Sequence, residues 1–375
     1  MLGGWPHFLA GVFLTLLGVG AAIGVLVYRG VPPAMWATPG TTETQTPIYI
    51  PPDVLDDLTR AGVIGDNFAG LNSNAEHDSF FVQPDDWLTY KLRPNVRVEV
   101  VVPPAIGKLN LDPPTLNIPP GAQLSDATRA YLSQARLRVA YTTDADGRRL
   151  TTPVTSASTK VLIVGDSVGF GLGVDDQDTV ASQLQQLLGS GVQVVNAAVA
   201  GYTGEQAVRM ADAVSRSRAY AAVIYIACEN DFDPDPDPPD ADSAGRQSLR
   251  SVREIIGGFT KIAGRFESGV TVMLTTRLEY EAQDVLLAAG ADRQALDHTS
   301  RIKTDLAREA TAAGFRFSGW SDIVADHRQA AKSILAPFAL YVDHTHLSRA
   351  GNLLLAEKLM SLLGRELADA PQPEN

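Results

Sequence analysis

The sequence predicts an α/β fold: a mostly parallel five-stranded sheet between two helical layers, behind a small β-rich module and one N-terminal transmembrane helix. Three observations predict it. From residue 159 to 368, compact apolar runs alternate with helical patterns, the order that builds a parallel sheet. Residues 53–158 instead carry period-two runs and few helical signals. Near the N-terminus lies a single long apolar stretch without a charge.

The uncharged run at residues 8–28 has about the length needed to span a bilayer. No Lys or Arg precedes it and no clear small-x-small cleavage site follows, so residues 1–30 are expected to be an uncleaved anchor rather than a signal peptide. Gly18, Gly20, Ala21, Ala22 and Gly24 would let the helix pack closely against a membrane-protein partner. Flanking charge is sparse, with His7 and the N-terminal amine on one side and Arg29 on the other, and gives little orientation. Residues 31–52, rich in Pro and Thr, read as an extended tether.

In the module at residues 53–158, strand patterns fall at 87–92, 96–102 and 137–142, with turn signals at 112–114 and 119–121. The module is expected to bury one face of the domain that follows. A second reading makes it a wall of the cleft, or a carbohydrate-binding surface using Trp87 and Tyr90. In the domain at residues 159–368, strands are expected near 161–165, 192–196, 222–227, 270–275 and 315–317. Helices are expected near 179–188, 205–216, 247–263, 283–313 (with a break at Gly290) and 351–367. Leu355, Leu359, Leu362 and Leu363 give the last helix an apolar face. Residues 369–375 form a tail.

Four blocks carry the chemistry. Gly165, Asp166 and Ser167 follow the apolar run Val161, Leu162, Ile163, Val164, so a serine lies just past the end of a buried strand. Ligands bind at that edge of an open α/β sheet. A second strand ends at Asn196, and its loop carries Gly201. A third ends in Cys228, Glu229, Asn230 and Asp231. The fourth block, Asp343, His344, Thr345, His346, precedes the last helix.

Together these blocks resemble the SGNH hydrolases, or GDSL-type esterases, marked by a Ser in Gly-Asp-Ser, a loop Gly, an Asn in Gly-x-Asn-Asp and a C-terminal Asp-x-x-His. The resemblance covers roughly residues 159–368 and implies an SGNH, flavodoxin-like three-layer fold. It implies a serine esterase in which Ser167 attacks, His346 takes its proton and Asp343 orients the imidazole. The oxyanion hole would combine the backbone N–H groups of Ser167 and Gly201 with the Asn230 side-chain amide. His344 is a rival to His346; the spacing from Asp343 and the following Leu-Ser favour His346. One departure is Cys228, where the family has Gly, and a side chain there would narrow the oxyanion pocket or shift the Asn230 loop. Lys91, Leu92, Arg93, Pro94 and Asn95 resemble a K-L-x-P-N phrase of bacterial members. Residues 142–148, ending in Arg148, resemble their N-S-x-G-x-R phrase. Membrane-anchored bacterial members usually hold the hydrolase outside the cytoplasm, which implies a periplasmic or extracellular domain.

The expected substrate is an acyl ester, either O-acetylated envelope carbohydrate or a lipid ester. Transfer of the acyl group to a sugar hydroxyl would use the same residues. A non-catalytic accessory subunit of a membrane complex is the alternative from another class. The net charge of −12 and the absence of a basic stripe argue against nucleic acid. No His/Cys cluster suggests zinc, and no cofactor is expected. The run of Asp and Pro between Phe232 and Ser243 lacks the Gly and terminal Glu of a calcium loop and reads as a solvated acidic loop. Cys228 is the sole cysteine, so no intramolecular disulfide forms.

Overall fold

The computed structural model describes residues 54, 57, 60, 64–66, 81–102, 115–118, 121–134, 137–232, 241–283 and 293–368. The expected anchor, tether and tail lie outside these residues, as does most of the Asp-Pro loop. No helix among the described residues is long and apolar enough to cross a membrane.

Five strands, β7 (Thr159–Gly165), β8 (Val192–Asn196), β9 (Ala222–Cys228), β10 (Val270–Thr275) and β11 (Arg316–Gly319), form one sheet in the order β11-β10-β9-β7-β8. All neighbours are parallel, with Leu162 opposite Val195, Val164 opposite Tyr225 and Thr275 opposite Cys228. The chain leaves β7 to one side for β8 and returns to the other side for β9. Strand order reverses there, which places a crevice at the C-terminal ends of β7 and β9.

Alternate residues of these strands feed two separate cores, because side chains on a strand point to opposite faces. Val161, Ile163, Ile224 and Ile226 meet α3 (Val180–Leu188), α8 (Trp320–Ala331) and α9 (Arg349–Ala368) on one face. Leu162, Val164, Val223 and Tyr225 meet α4 (Gly204–Ser217), α5 (Ala241–Ile262) and α7 (Arg293–Ala312) on the other. The expected apolar face of α9 is present: Leu355, Leu359 and Leu363 are fully buried, and Leu362 is partly so.

The segment before the sheet holds a hairpin of β2 (Val82–Asp85) and β3 (Thr89–Leu92). It also holds an antiparallel sheet of β1 (Ile64–Asp66), β5 (Thr115–Ile118), β4 (Arg97–Val102) and β6 (Leu137–Thr142), in that order. Phe81, Leu92, Val98, Val100 and Tyr141 share one buried cluster with Leu162, Val164 and Phe170, so the core runs across residue 158.

Several elements differ from expectation. β3 begins at Thr89 because Trp87 and Leu88 form a turn, both N–H groups donating to Asp85 Oδ1 at 3.0 Å. β5 is four residues long between two turn signals, too short to show a period. The helix α1 (Asp126–Leu132) is only seven residues long and is started by the Ser125 side chain, which accepts the Thr128 N–H. In α8 the buried residues are Trp320, Ile323 and Val324, all within the first five positions, and the polar remainder hides the helical period. A short helix, α6 (Leu278–Glu281), precedes the expected 283–313 helix, α7 is described from Arg293, and residues 284–292, with Gly290, lie outside the described residues.

Counted two residues past Gly147, the arginine of the N-S-x-G-x-R phrase is Arg149 rather than Arg148. Arg149 has no exposed surface on its side chain and faces Asp176 at 3.1 Å. Its guanidinium lies 4.3 Å from the Tyr141 ring centre and 4.6 Å from that of Phe170, and it donates to the Val174 carbonyl at 3.0 Å. This cation ties β6 to the loop that follows Phe170. Breaking a buried ion pair from one side typically costs about 3–5 kcal/mol.

Candidate active site

The position of Ser167 follows from local geometry. Gly165 ends β7 at φ +152°, where a Cβ would collide with the Ile226 carbonyl of the next strand. Only glycine fits that turn. Asp166 then caps a short helix, α2 (Ser167–Phe170), its Oδ1 accepting the Val168 N–H at 2.9 Å. Ser167 occupies the first helical position, so its N–H has no intrahelical acceptor. Burial holds the Asp166 carboxyl above the ordinary range, partly offset by the Val168 hydrogen bond and the His346 charge.

His346 arrives on a tight loop. The Val342 N–H donates to the His346 carbonyl at 2.8 Å, and Tyr341 bridges to Leu347, so residues 342–346 close on themselves. Asp343 Oδ1 accepts the N–H groups of Thr345 (2.8 Å) and His346 (2.7 Å). Asp343 Oδ2 lies 2.6 Å from His346 Nδ1, and His346 Nε2 lies 2.9 Å from Ser167 Oγ. His346, not His344, therefore meets the serine; the His344 carbonyl accepts the Leu278 N–H at 2.8 Å. With Nδ1 protonated toward Asp343, Nε2 carries a lone pair toward Ser167.

Burial and charge compete at this pair. Burial pushes His346 down, but the Asp343 charge and hydrogen bond outweigh it and hold the imidazole above its ordinary value. Burial likewise pushes Asp343 up, but the His346 charge and three hydrogen bonds win and keep it below the usual carboxylate range. Tyr341 braces the loop from behind: its hydroxyl accepts from Trp320 Nε1 at 2.7 Å and donates to the Thr276 carbonyl at 2.8 Å.

The oxyanion candidates are placed unevenly. Ala197 and Val199 donate to the carbonyls of Ile163 and Gly165 at 2.8 and 3.1 Å, carrying the β7–β8 pairing onward beside the nucleophile turn. Gly201 follows, exposed and at φ +78°. Asn230 lies in the turn Glu229–Phe232 beyond β9, and its side chain is outside the described residues. Asp231 fixes that turn, accepting the Tyr225 hydroxyl at 2.7 Å and the Cys228 N–H at 3.2 Å. Buried Glu229 adds two more ties, to Arg277 at 3.1 Å and Thr299 at 2.8 Å. Cys228 is fully buried in the cluster of Ile226, Val168 and Leu278, so its side chain fills a core rather than narrowing the pocket.

Sequence reasoning missed several supports. The Tyr90 hydroxyl donates to the Ala200 carbonyl at 3.0 Å, and the Tyr202 hydroxyl donates back to the Tyr90 carbonyl at 2.6 Å. Their rings meet edge-on at 5.2 Å. Tyr90 is therefore buried and braces the Gly201 loop, not a surface for sugars. Asn196 Nδ2 donates to the Gly169 carbonyl at 3.0 Å while Asn196 Oδ1 accepts the Ala198 N–H at 3.1 Å, joining that loop to α2. An asparagine at the end of an apolar strand was the available signal. Among the described residues no group of three His, Cys, Asp or Glu is placed to hold a metal ion.

No family model and no curated protein matches the chain. Solved structures similar to it include LAE5, an alpha/beta hydrolase enzyme from the metagenome of Lake Arreo, Spain. It is 16% identical at a TM-score of 0.42, over 56% of this chain and 96% of that one. Another is Axe2, an acetylxylan esterase from Geobacillus stearothermophilus, 20% identical at a TM-score of 0.40 over 58% of this chain and 99% of that one. The strand order and the serine–histidine–aspartate geometry stand without these likenesses.

Proposed function

We propose that this chain is a serine esterase of the SGNH type, held at a membrane by residues 8–28 with its catalytic domain outside the cytoplasm. The observation that carries the reading is the continuous line from Ser167 Oγ through His346 to Asp343, at 2.9 and 2.6 Å. Ser167 Oγ attacks the ester carbonyl as its proton passes to His346 Nε2. The tetrahedral oxyanion is received by the N–H groups of Ser167 and Gly201 and the Asn230 amide. Collapse breaks the ester C–O bond, and His346 returns the proton to the leaving alcohol. Water then repeats both steps on the acyl-serine, releasing a carboxylic acid. The substrate is an acyl ester of envelope carbohydrate or lipid; a sugar hydroxyl in place of water would make the same site an acyltransferase. With Cys228 filling a core, the small-residue run of the expected anchor is the sequence feature that still favours a non-catalytic subunit.

A fluorophosphonate probe tests the reading. Wild type should label, and Ser167→Ala and His346→Ala should not. A well-folded wild type that fails to label would sink it.

A further inference from the structure

Trp87 is the only aromatic among the large apolar side chains exposed in the described residues, at 56% of full accessibility. A lone exposed apolar side chain is ordinary, but this one is held from several directions. Asp85 Oδ1 accepts the Trp87 and Leu88 N–H groups, and Lys91 pins Asp85 at 2.9 Å. Arg209 of α4 donates to the Trp87 carbonyl at 3.3 Å and sets its guanidinium 5.5 Å from the ring centre. The backbone that carries the exposed indole is thus fixed and Arg209 lies against the ring, so a ligand stacking on it orders little of the backbone.

Arg209 also lines a surface groove of about 560 Å³ between α4 and α5, together with Glu205, Arg253, Glu254 and Lys261. The groove mixes donors and acceptors of both signs. A polyanion would want one sign. Sugar hydroxyls, each a donor and an acceptor, are served by both, while an indole face suits the C–H face of a pyranose ring. The groove shares a helix with the Gly201 loop: α4 opens at Gly204, three residues past Gly201, and Arg209 lies about 8 Å further along the helix axis. β3 joins the two, since the strand entered from the Trp87 turn sends Tyr90 to hold Ala200.

We propose that Trp87 and the α4–α5 groove form a carbohydrate subsite, seating a sugar ring of an acylated polysaccharide while Ser167 attacks its ester. This deepens the esterase reading and rests on it for the reaction, though not for binding. In the full chain, Trp87→Ala should lower kcat/KM toward an O-acetylated β-1,4-linked xylo-oligosaccharide about tenfold, through KM. Turnover of 4-nitrophenyl acetate, which has no sugar, should not change. Equal losses on both esters, or no loss on either, would overturn the subsite. A wild type inert on both esters would count against the esterase reading alone. Calorimetry of Ser167→Ala with unacetylated xylo-, cello- and chito-oligosaccharides then decides the subsite. Binding of one of them that is lost on adding Trp87→Ala supports it; no Trp87-dependent binding of any overturns it.

Discussion

His346 feels two carboxylates, Asp343 in contact and Asp166 beside the nucleophile, and both favour its charged form. Its pKa therefore lies above the ordinary 6.5 despite burial. A general base must be neutral, so kcat/KM should rise with pH along an acid limb whose midpoint lies above 6.5. Asp343→Asn removes the strongest influence holding that value up. Burial then dominates, the limb should move to lower pH, and kcat should fall by roughly 10⁴ as the wrong tautomer is allowed. A pH–rate profile of both proteins on a soluble ester checks this; an unmoved limb would refute the assignment. The same groups link stability to pH. His346, raised in the fold, stabilises below about 6.5 and loses that contribution as pH climbs through its folded value. Asp343, depressed in the fold, stabilises above the ordinary carboxylate value of 3.8 and loses this as pH falls through its folded value.

Among the elements, the hairpin β2–β3 acts on a loop more than a hundred residues away. The Tyr90 hydroxyl donates to the Ala200 carbonyl, the Tyr202 hydroxyl donates to the Tyr90 carbonyl, and Gln206 Nε2 of α4 donates to the Leu88 carbonyl at 2.8 Å. The strand thus sets where Gly201 can stand. Tyr90→Phe keeps the ring and removes one donor, so the protein should melt close to wild type. If the Gly201 N–H serves the oxyanion, kcat should fall about three- to tenfold with KM unchanged. Steady-state kinetics beside a thermal melt would show it, and an unchanged kcat would end the brace's catalytic role. On the far side of the site, α8 acts similarly through Trp320 and Tyr341, holding the loop of Asp343 and His346.

Across the whole molecule, the apolar core ignores the boundary between the two segments. Phe170 of the nucleophile helix stacks edge-on against Phe81 at 6.2 Å and Tyr141 at 5.3 Å. Arg149 is held between Tyr141 and Phe170. Removing residues 1–158 would bare that surface and leave Asp176 without its cation. The fragment 159–375 should accordingly lack a cooperative thermal transition and should not react with the fluorophosphonate probe. A fragment that melts sharply and labels like the full chain would show that the first segment is dispensable.

The sequence by itself determined the parallel sheet and the residues proposed for catalysis, because these patterns are local. Each strand is a short apolar run, each helix has its own period, and Ser167, Gly201, Asn230 and Asp343 to His346 each sit beside a strand end or before a helix. Only the tertiary structure decided what depends on register and long-range contact. Trp87 and Tyr90 fall in one strand pattern, yet Asp85 draws Trp87 into an exposed turn while β3 carries Tyr90 into the core. Cys228 stands next to the oxyanion block in sequence, but the two-residue period of β9 points it into a core. His344 and His346 differ by two positions, and the closure of their loop decides which imidazole reaches Ser167. The strand order rests on pairings between segments tens of residues apart, which no local pattern encodes.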